Sequence, residues 1–360
     1  DGKKESHDAD LGNPANPMFF ITMFNEIQRD RYGAFAQVTR VFDRWAVEAG
    51  ARYNSLTMNA GEVDGNLAMM MNNMMGMSQQ DRLDALAKDF NDADRKKKDD
   101  QFSILFQASR QLGDSRLNLG IGRKVRSPSD QERYLWLPMQ ATSGLADGRT
   151  YLGDIDLKPE NSLEVTAGVD WSIGGFKLTP EFFYREVNNY IQGVPSTNEI
   201  ANKFAMMMGG KAPLQYANVD SKLYGLDLGY EYEISPAWLL RGNLGYVRGK
   251  RTDVPDNLYR IAPLSSFLEL AWRQQSYFIA VESVAASQQD KVSAYNNEEP
   301  SAGWGILSLR AGYSFNSVFD INLGVENLFD KAYQDHLAGY NRVAGSDVGV
   351  GERLYSKGRN

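Results

Sequence analysis

Residues 162–171 read SLEVTAGVDW, and apolar side chains alternate strictly with polar side chains or glycine along this stretch. A period of two places successive side chains on opposite faces of a β-strand. The same alternation recurs in YGLDLGYEY at 224–232, LSLRAGYSF at 307–315 and FDINLGVE at 319–326. The chain is therefore predicted to be all-β, with strands that have one apolar face and one polar face.

The lengths of the connections indicate how these strands are joined. The alternation predicts twelve strands, at 31–42, 44–59, 101–111, 115–125, 162–173, 176–192, 216–233, 237–250, 261–273, 276–288, 304–315 and 318–328. Short turns such as Gly174-Gly175 alternate with long connections such as 60–100 and 126–161. This alternation is typical of an antiparallel up-and-down transmembrane β-barrel, whereas a soluble Greek-key sandwich mixes its connection lengths. One face of such a barrel lines a polar lumen, and the predicted inward-facing charges include Glu164, Asp170, Asp227, Glu231, Arg241, Arg310, Asp320 and Glu326.

Composition excludes several classes of protein. The 360 residues contain no cysteine, so disulfides, thiolate zinc sites and thiol nucleophiles are excluded. A net charge of −7 argues against a nucleic-acid partner, which requires a basic face. The sequence contains no run of about 18 apolar residues, so no transmembrane helix is predicted. No Ser-His-Asp order, phosphate-binding loop or zinc-ligand spacing stands out, so neither an enzyme nor a required cofactor is expected.

Three short motifs resemble those of TonB-dependent outer-membrane receptors. They are GRKVRSPS at 122–129, LKPE at 157–160 and ENLFDKAY at 326–333. The resemblance implies a barrel of about 22 strands around a plug domain. It also implies import driven through TonB, in the outer membrane of a Gram-negative bacterium. The expected partners are outer-membrane lipid, the protein's own plug domain and TonB.

The resemblance also predicts which part of such a receptor this sequence represents. We expect residues 1–360 to be a single, partial barrel domain, with about 12 of the 22 strands. The plug, the TonB-contacting region and the first strands are expected to be absent. The stretch 329–360 is polar and rich in glycine, with no closing strand. Because unpaired backbone groups are costly in lipid, a closing strand is also expected to be missing.

The cargo is predicted from further resemblances and from methionine. The stretches WLPMQ at 136–140, GRTY at 148–151 and DHLAGYNRV at 335–343 are similar to those of copper receptors within the family. Thioether sulfur is a soft ligand that selects Cu(I). The candidate metal ligands are Met69, Met70, Met71, Met74, Met75, Met77, Met206, Met207, Met208 and His336.

Each of these candidates also has a structural interpretation. Methionine fills irregular gaps in apolar loops, and His7 and His336 are more often structural than ligands. Copper is expected as cargo and not as a resident cofactor. A receptor for an iron siderophore or haem is the first alternative function, and a soluble all-β binding protein is the second. No complete metal site is predicted, since a copper receptor is expected to use its plug as well.

Overall fold

The computed structural model describes residues 2–10, 19–67, 77–315, 318–343, 345–356 and 358. Within these ranges, fifteen strands form one sheet. They are β1 Gly2–Asp10, β2 Phe19–Phe42, β3 Trp45–Asn59, β4 Gly65–Leu67, β5 Lys97–Leu112, β6 Ser115–Arg126, β7 Tyr151–Leu152, β8 Glu160–Ile173, β9 Phe176–Pro195, β10 Leu214–Ser235, β11 Trp238–Arg251, β12 Ser265–Gln274, β13 Tyr277–Ala286, β14 Trp304–Ser314 and β15 Asp320–Val325.

The strands lie in the sheet in the order of the sequence. The path runs β1-β2-β3-β5-β6-β8-β9-β10-β11-β12-β13-β14-β15. Neighbours along it are antiparallel. The short strand β4 pairs with β2, and β7 lies parallel to β10. The predicted fold class is confirmed, and the twelve predicted strands correspond to β2, β3, β5, β6 and β8 to β15.

The predicted start of the first strand at residue 31 was wrong. β2 begins at Phe19, and its first half pairs with β1. Ile21 and Met23 on one side of this half are buried, while Phe24 on the other side packs against the same apolar core. Because both faces are apolar here, the alternation that reveals the other strands is lost.

Tight turns join the strands at one end of the sheet. Gly174 and Gly175 connect β8 to β9, with φ values of +54° and +79°. Positive φ at both central residues is what a type I′ hairpin turn requires, and glycine adopts it without a Cβ clash. Asp43 has φ of +49° in the turn between β2 and β3. These turns lie where the sequence predicts them.

The long connections at the opposite end contain helices that the strand pattern does not predict. They are α1 Gln79–Asp92, α2 Asp130–Tyr134, α3 Gln140–Ser143 and α4 Glu199–Met207. α1 and α2 each begin with a capping box, from Ser78 to Asp81 and from Ser129 to Glu132. In the described parts of the chain, no helix is long and apolar enough to cross a membrane.

The two faces of the sheet differ in chemistry. Val165 lies beside Ile121 and Tyr184 on neighbouring strands, and all three are 44–47% exposed. A continuous exposed apolar face is typical of the lipid-facing side of a barrel. The opposite face carries ion pairs across neighbouring strands: Lys177–Glu231 at 2.8 Å, Arg241–Glu269 at 2.7 Å, Arg310–Glu282 at 3.1 Å, and Arg185–Glu164. The sheet therefore has the apolar outer face and charged inner face that its sequence predicts.

The buried apolar core lies among the long loops and not in the middle of the sheet. Its members come from α1, α4, the segment 134–139 and the adjoining ends of β2, β3 and β10. Tyr134, Leu137 and Phe204 are completely buried in it. Each large apolar side chain buried in this way contributes about 1.5–3 kcal/mol. The long loops therefore form a packed body at one end of the sheet.

Candidate functional site

α1 and α4 bring two of the long connections together. The buried residues of α1 include Leu83, Leu86, Ala87 and Phe90, which lie on one helical face. The Nε2 group of Gln79 in α1 donates a hydrogen bond to the carbonyl oxygen of Phe204 in α4, at 3.2 Å. The connections 60–100 and 193–215, which lie far apart in the sequence, are thereby joined.

The predicted methionine ligands lie close to this helix pair where the structure describes them. Met69, Met70, Met71, Met74 and Met75 lie outside the described residues. Met77 directly precedes the Ser78 cap of α1 and is 41% exposed. Met206 and Met207 end α4 and are 59% and 42% exposed, whereas Met208 packs partly against the apolar core.

His336, the remaining candidate ligand, is buried in the loop body. Its Nδ1 lies 3.0 Å from Ser301 Oγ, and its Nε2 lies 3.2 Å from Glu298 Oε1. The carboxylate of Glu298 also accepts the backbone N–H groups of Ser293 and Arg260. His336 therefore ties the segment after β15 to the connection between β13 and β14. In the described ranges, no group of three His, Asp or Glu side chains is arranged to hold a metal ion.

A cavity of about 440 Å³ lies among the loops, and both Met208 and His336 line it. Its walls come from the connections that follow β6, β9, β11, β13 and β15. The structure thus brings one candidate thioether and the candidate imidazole to the same cavity. The exposed Met77, Met206 and Met207 are not among its lining residues.

Asp147 holds two walls of this cavity together. Its Oδ2 atom accepts hydrogen bonds from Tyr151 Oη at 2.6 Å and from Tyr259 Oη at 2.9 Å. Burial, and after it the negative charge of Asp147, raises the pKa of both tyrosine hydroxyls far above their usual value of 10.0. Both hydroxyls therefore remain protonated donors. The sequence gives no signal for this cluster, because Tyr259 lies 112 residues from Asp147.

A buried ion pair fixes the connection that contains α2. Arg133 Nη2 lies 2.9 Å from Asp99 Oδ1 and 3.0 Å from the carbonyl oxygen of Leu157. Asp99 belongs to the charge run 94–100, which in a single sequence resembles an ordinary solvated surface. The serine-to-glutamate capping box at 129–132 is the one local signal that could have located α2 and hence Arg133.

These features define the wall and the loops of an outer-membrane β-barrel, with lipid outside and a polar lumen inside. Residues 3–328 match the profile of the family described as TonB dependent receptor-like, beta-barrel, and the chain belongs to that family. The resemblance found in the motifs at 122–129, 157–160 and 326–333 is thereby confirmed. Membership places the chain in the outer membrane of a Gram-negative bacterium.

Solved structures share the fold at low sequence identity. The copper transporter OprC matches with a TM-score of 0.73 and 20% identity, over 92% of this chain and 47% of OprC. The ferric yersiniabactin uptake receptor FyuA from Yersinia pestis matches with a TM-score of 0.60 and 14% identity, over 96% of this chain and 46% of FyuA. The siderophore receptor PirA from Pseudomonas aeruginosa has a TM-score of 0.51 and 16% identity, over 87% of this chain and 56% of PirA.

One curated protein is also similar over part of the chain. Outer membrane porin protein 32 of Delftia acidovorans is 29% identical over 120 residues, which are 31% of this chain and 33% of the porin. By the coverages given above, the chain spans about half the length of the solved structures that it matches. At these identities the likeness shows a common fold and does not transfer a cargo.

Proposed function

We propose that this protein is a TonB-dependent receptor that imports copper, as the ion or as a complex, across the outer membrane. The family to which the barrel belongs supports the receptor role. A plug domain in the lumen and a contact with TonB are part of the proposal. The ion pairs on the inner face supply a polar wall against which a plug can pack.

The observation that carries the copper proposal is the meeting of two methionine-bearing segments at the α1–α4 pair. Gln79, two residues after Met77, donates to Phe204, two residues before Met206. The side chains of Met77, Met206 and Met207 are 41–59% exposed, which disfavours the alternative that they fill gaps in an apolar core. Accessible thioethers on neighbouring segments suit the capture of Cu(I), a soft cation.

The fold does not choose between copper and iron complexes as cargo. One solved neighbour is a copper transporter, and others are siderophore receptors. An iron siderophore or haem would use the same barrel and differ in its contacts with the loops. The soft-ligand chemistry of the methionines favours copper.

The test is the amount of copper bound by the full-length receptor purified in detergent. Copper per protein is measured by elemental analysis under reducing conditions. One variant replaces Met69, Met70, Met71, Met74, Met75 and Met77 by Leu, and a second replaces Met206 and Met207 by Leu. The control is Met139→Leu, which removes a thioether from a side chain only 4% exposed while nearly conserving its volume.

Loss of bound copper in both loop variants, with the control unchanged, supports the proposed capture surface. Unchanged copper in both variants overturns the assignment of the cargo site to these loops. A wild-type receptor that binds a ferric siderophore and no copper overturns the copper proposal in favour of the first alternative. Heat-modifiable migration on a gel confirms in each sample that the barrel is folded.

A further inference from the structure

Arg123, which belongs to the motif at 122–129, lies on the lipid-facing side of the sheet. Ile121, two residues before it in β6, is part of the exposed apolar face. Arg123 itself pairs directly with Ile104 on β5 and with Leu163 on β8, which are 46% and 50% exposed. Directly opposite residues in an antiparallel pair project from the same face. Since a guanidinium group is always charged in proteins, the motif places a permanent positive charge on the surface that meets lipid.

No carboxylate that the structure describes neutralises Arg123. The neighbouring cation Lys124 projects from the polar face and lies 3.4 Å from the carboxylate of Glu164. For Arg123, by contrast, no carboxylate oxygen of the described residues lies within the 4.0 Å ion-pair distance. Its Nη1 atom donates a hydrogen bond to the carbonyl oxygen of Phe102 at 2.8 Å. This bond orients the guanidinium group and leaves its charge in place.

The guanidinium group of Arg123 lies close to the loop-side edge of the apolar face. Phe102, to which it is bonded, pairs with Tyr53 on β3, and the two rings are 49% and 46% exposed. The next pair on this face toward the long loops is polar and consists of Ser55 and Asp100. Aromatic girdles in membrane barrels mark the level of the lipid headgroups. The charge of Arg123 is therefore held at headgroup depth.

An apolar groove of about 500 Å³ lies beside Arg123 on the same face. Its floor is made of the small side chains Ala36, Ala49 and Ala51, and larger apolar side chains such as Phe106 form its walls. One row of direct partners across five strands consists of Ala36, Ala51, Ile104, Arg123 and Leu163. This row borders the groove on the side of the long loops. The groove thus has a cation at its headgroup end and apolar side chains below it.

We propose that this groove binds one membrane lipid with an anionic phosphate headgroup, with the phosphate at Arg123 and an acyl chain over the alanine floor. A guanidinium group binds phosphate through paired, charge-assisted hydrogen bonds. An unpaired cation on a lipid-facing surface is costly, and a phosphate partner removes that cost. An acyl chain in the groove gains dispersion contacts that an empty groove lacks. The proposal concerns the outer surface of the barrel and does not depend on the cargo.

A second copy of the chain is the alternative occupant of the groove. Two copies related by a two-fold axis present the same patch to each other. The two Arg123 side chains would then approach each other in apolar surroundings, where repulsion between like charges is strong. The position of the charge therefore favours a lipid.

Dioleoyl phosphatidylglycerol is the probe for this site. It is titrated into the full-length receptor in maltoside detergent, and native mass spectrometry counts the bound lipids and gives the Kd of the tightest one. Arg123→Gln is expected to raise this Kd by at least about tenfold, because charge-assisted bonds to the phosphate are lost. Ala51→Leu, which fills the groove and keeps the charge, is expected to raise it as well. The controls are Arg110→Gln and Ala167→Leu, which make the same changes on the same face outside the groove.

Weaker binding in both groove variants, with both controls unchanged, supports the lipid site. Equal weakening in Arg123→Gln and Arg110→Gln overturns it, and so does unchanged binding in Ala51→Leu. Dioleoylglycerol tests the chains without phosphate, and glycerol phosphate tests the phosphate without chains. If either binds as tightly as the intact lipid, the proposal is wrong. A wild-type dimer that dissociates in Ala51→Leu assigns the groove to a second copy and also overturns the proposal. Heat-modifiable migration identifies the folded variants, and either groove variant with its control decides the matter if the other does not fold.

Discussion

The guanidinium group of Arg133 lies 2.9 Å from the carboxylate of Asp99, and both side chains are more than nine-tenths buried. The same guanidinium donates to the carbonyl oxygen of Leu157. One ion pair thus fastens both ends of the connection between β6 and β8 to the start of β5. This connection supplies Asp147 and Arg149 to the loop cavity, so the pair supports the candidate site from a distance.

Replacement of Asp99 by Ala is expected to loosen this connection. Arg133 would remain buried without its partner charge, which typically costs about 3–5 kcal/mol. The measurement is hydrogen exchange of residues 130–137 in the folded receptor, which should become much faster. Adding Arg133→Met should recover part of the protection, and equal exchange in all three proteins would show that the pair does not hold the connection.

Replacement of Tyr259 by Phe is expected to weaken the contact between two walls of the cavity. Asp147 would lose one of its two tyrosine donors, at a cost of about 1–3 kcal/mol for a buried acceptor. Hydrogen exchange of residues 144–153 should increase. Tyr295→Phe, which changes a side chain that is 51% exposed, is the control. The same increase in the control would contradict the role given to Tyr259.

Gly153 is expected to tolerate no side chain. A Cβ atom there would lie 2.6 Å from the carbonyl oxygen of Arg133 and 2.9 Å from the backbone nitrogen of Leu135. Because both neighbours are backbone atoms, Gly153→Ala must displace the segment around α2. Gly50→Ala is the matched control, since its nearest neighbour would lie at 3.8 Å. Thermal unfolding should show a lower midpoint for Gly153→Ala only, and equal midpoints for the two variants would refute this prediction.

Acid is expected to fray the first turn of α1. Asp81 Oδ2 accepts the backbone N–H of Ser78 at 2.8 Å, and this hydrogen bond lowers the pKa of Asp81 from its usual 3.8. Since the folded pKa lies below the unfolded one, the stabilisation is present at neutral pH. This stabilisation is lost as the pH falls below about 4, near the pKa of Asp81 in the unfolded chain, and then through the lower pKa of Asp81 in the folded chain.

A spin label at Asp84→Cys, at the exposed end of the first turn, reports this change, because the chain contains no other cysteine. The label should become more mobile as the pH falls through this range. Asp81→Asn keeps a side-chain oxygen acceptor and removes the charge, so the change in mobility should disappear. A change of equal size in the Asn variant would assign it to another group.

Much of the sheet is predictable from local pattern. The stretch 162–171 alternates because one face meets an apolar surrounding and the other meets charged groups such as Arg185. Most of the strands have one apolar face and one polar face in the same way, so the twelve predicted strands are present. The alternation fails at 20–24, where Ile21 and Met23 on one face of β2 and Phe24 on the other all pack into the loop body. The helices are missed because a search for a period of two does not detect the 3.6-residue period of a helix such as α1, whose buried face carries Leu83, Leu86 and Phe90.

The candidate site is less accessible to prediction. The soft-ligand chemistry of methionine identifies Met77, Met206 and Met207 as candidates, but no local pattern indicates that their segments meet. Arg260 and Arg342 resemble ordinary surface charges until the loops bring them to one cavity. Asp99 and Arg133 likewise resemble solvated charges until the fold buries them together.

Local patterns in the amino-acid sequence are enough to establish the all-β class, the tight turns, the two faces of the sheet and the motifs of the family. These properties are local, because a period of two and a glycine turn depend only on neighbouring residues. The tertiary structure alone decided which loops touch, for example through the bond from Gln79 to Phe204 across 125 residues. Such contacts depend on the packing of distant segments, and strand pairing in the sheet must first bring those segments to the same end.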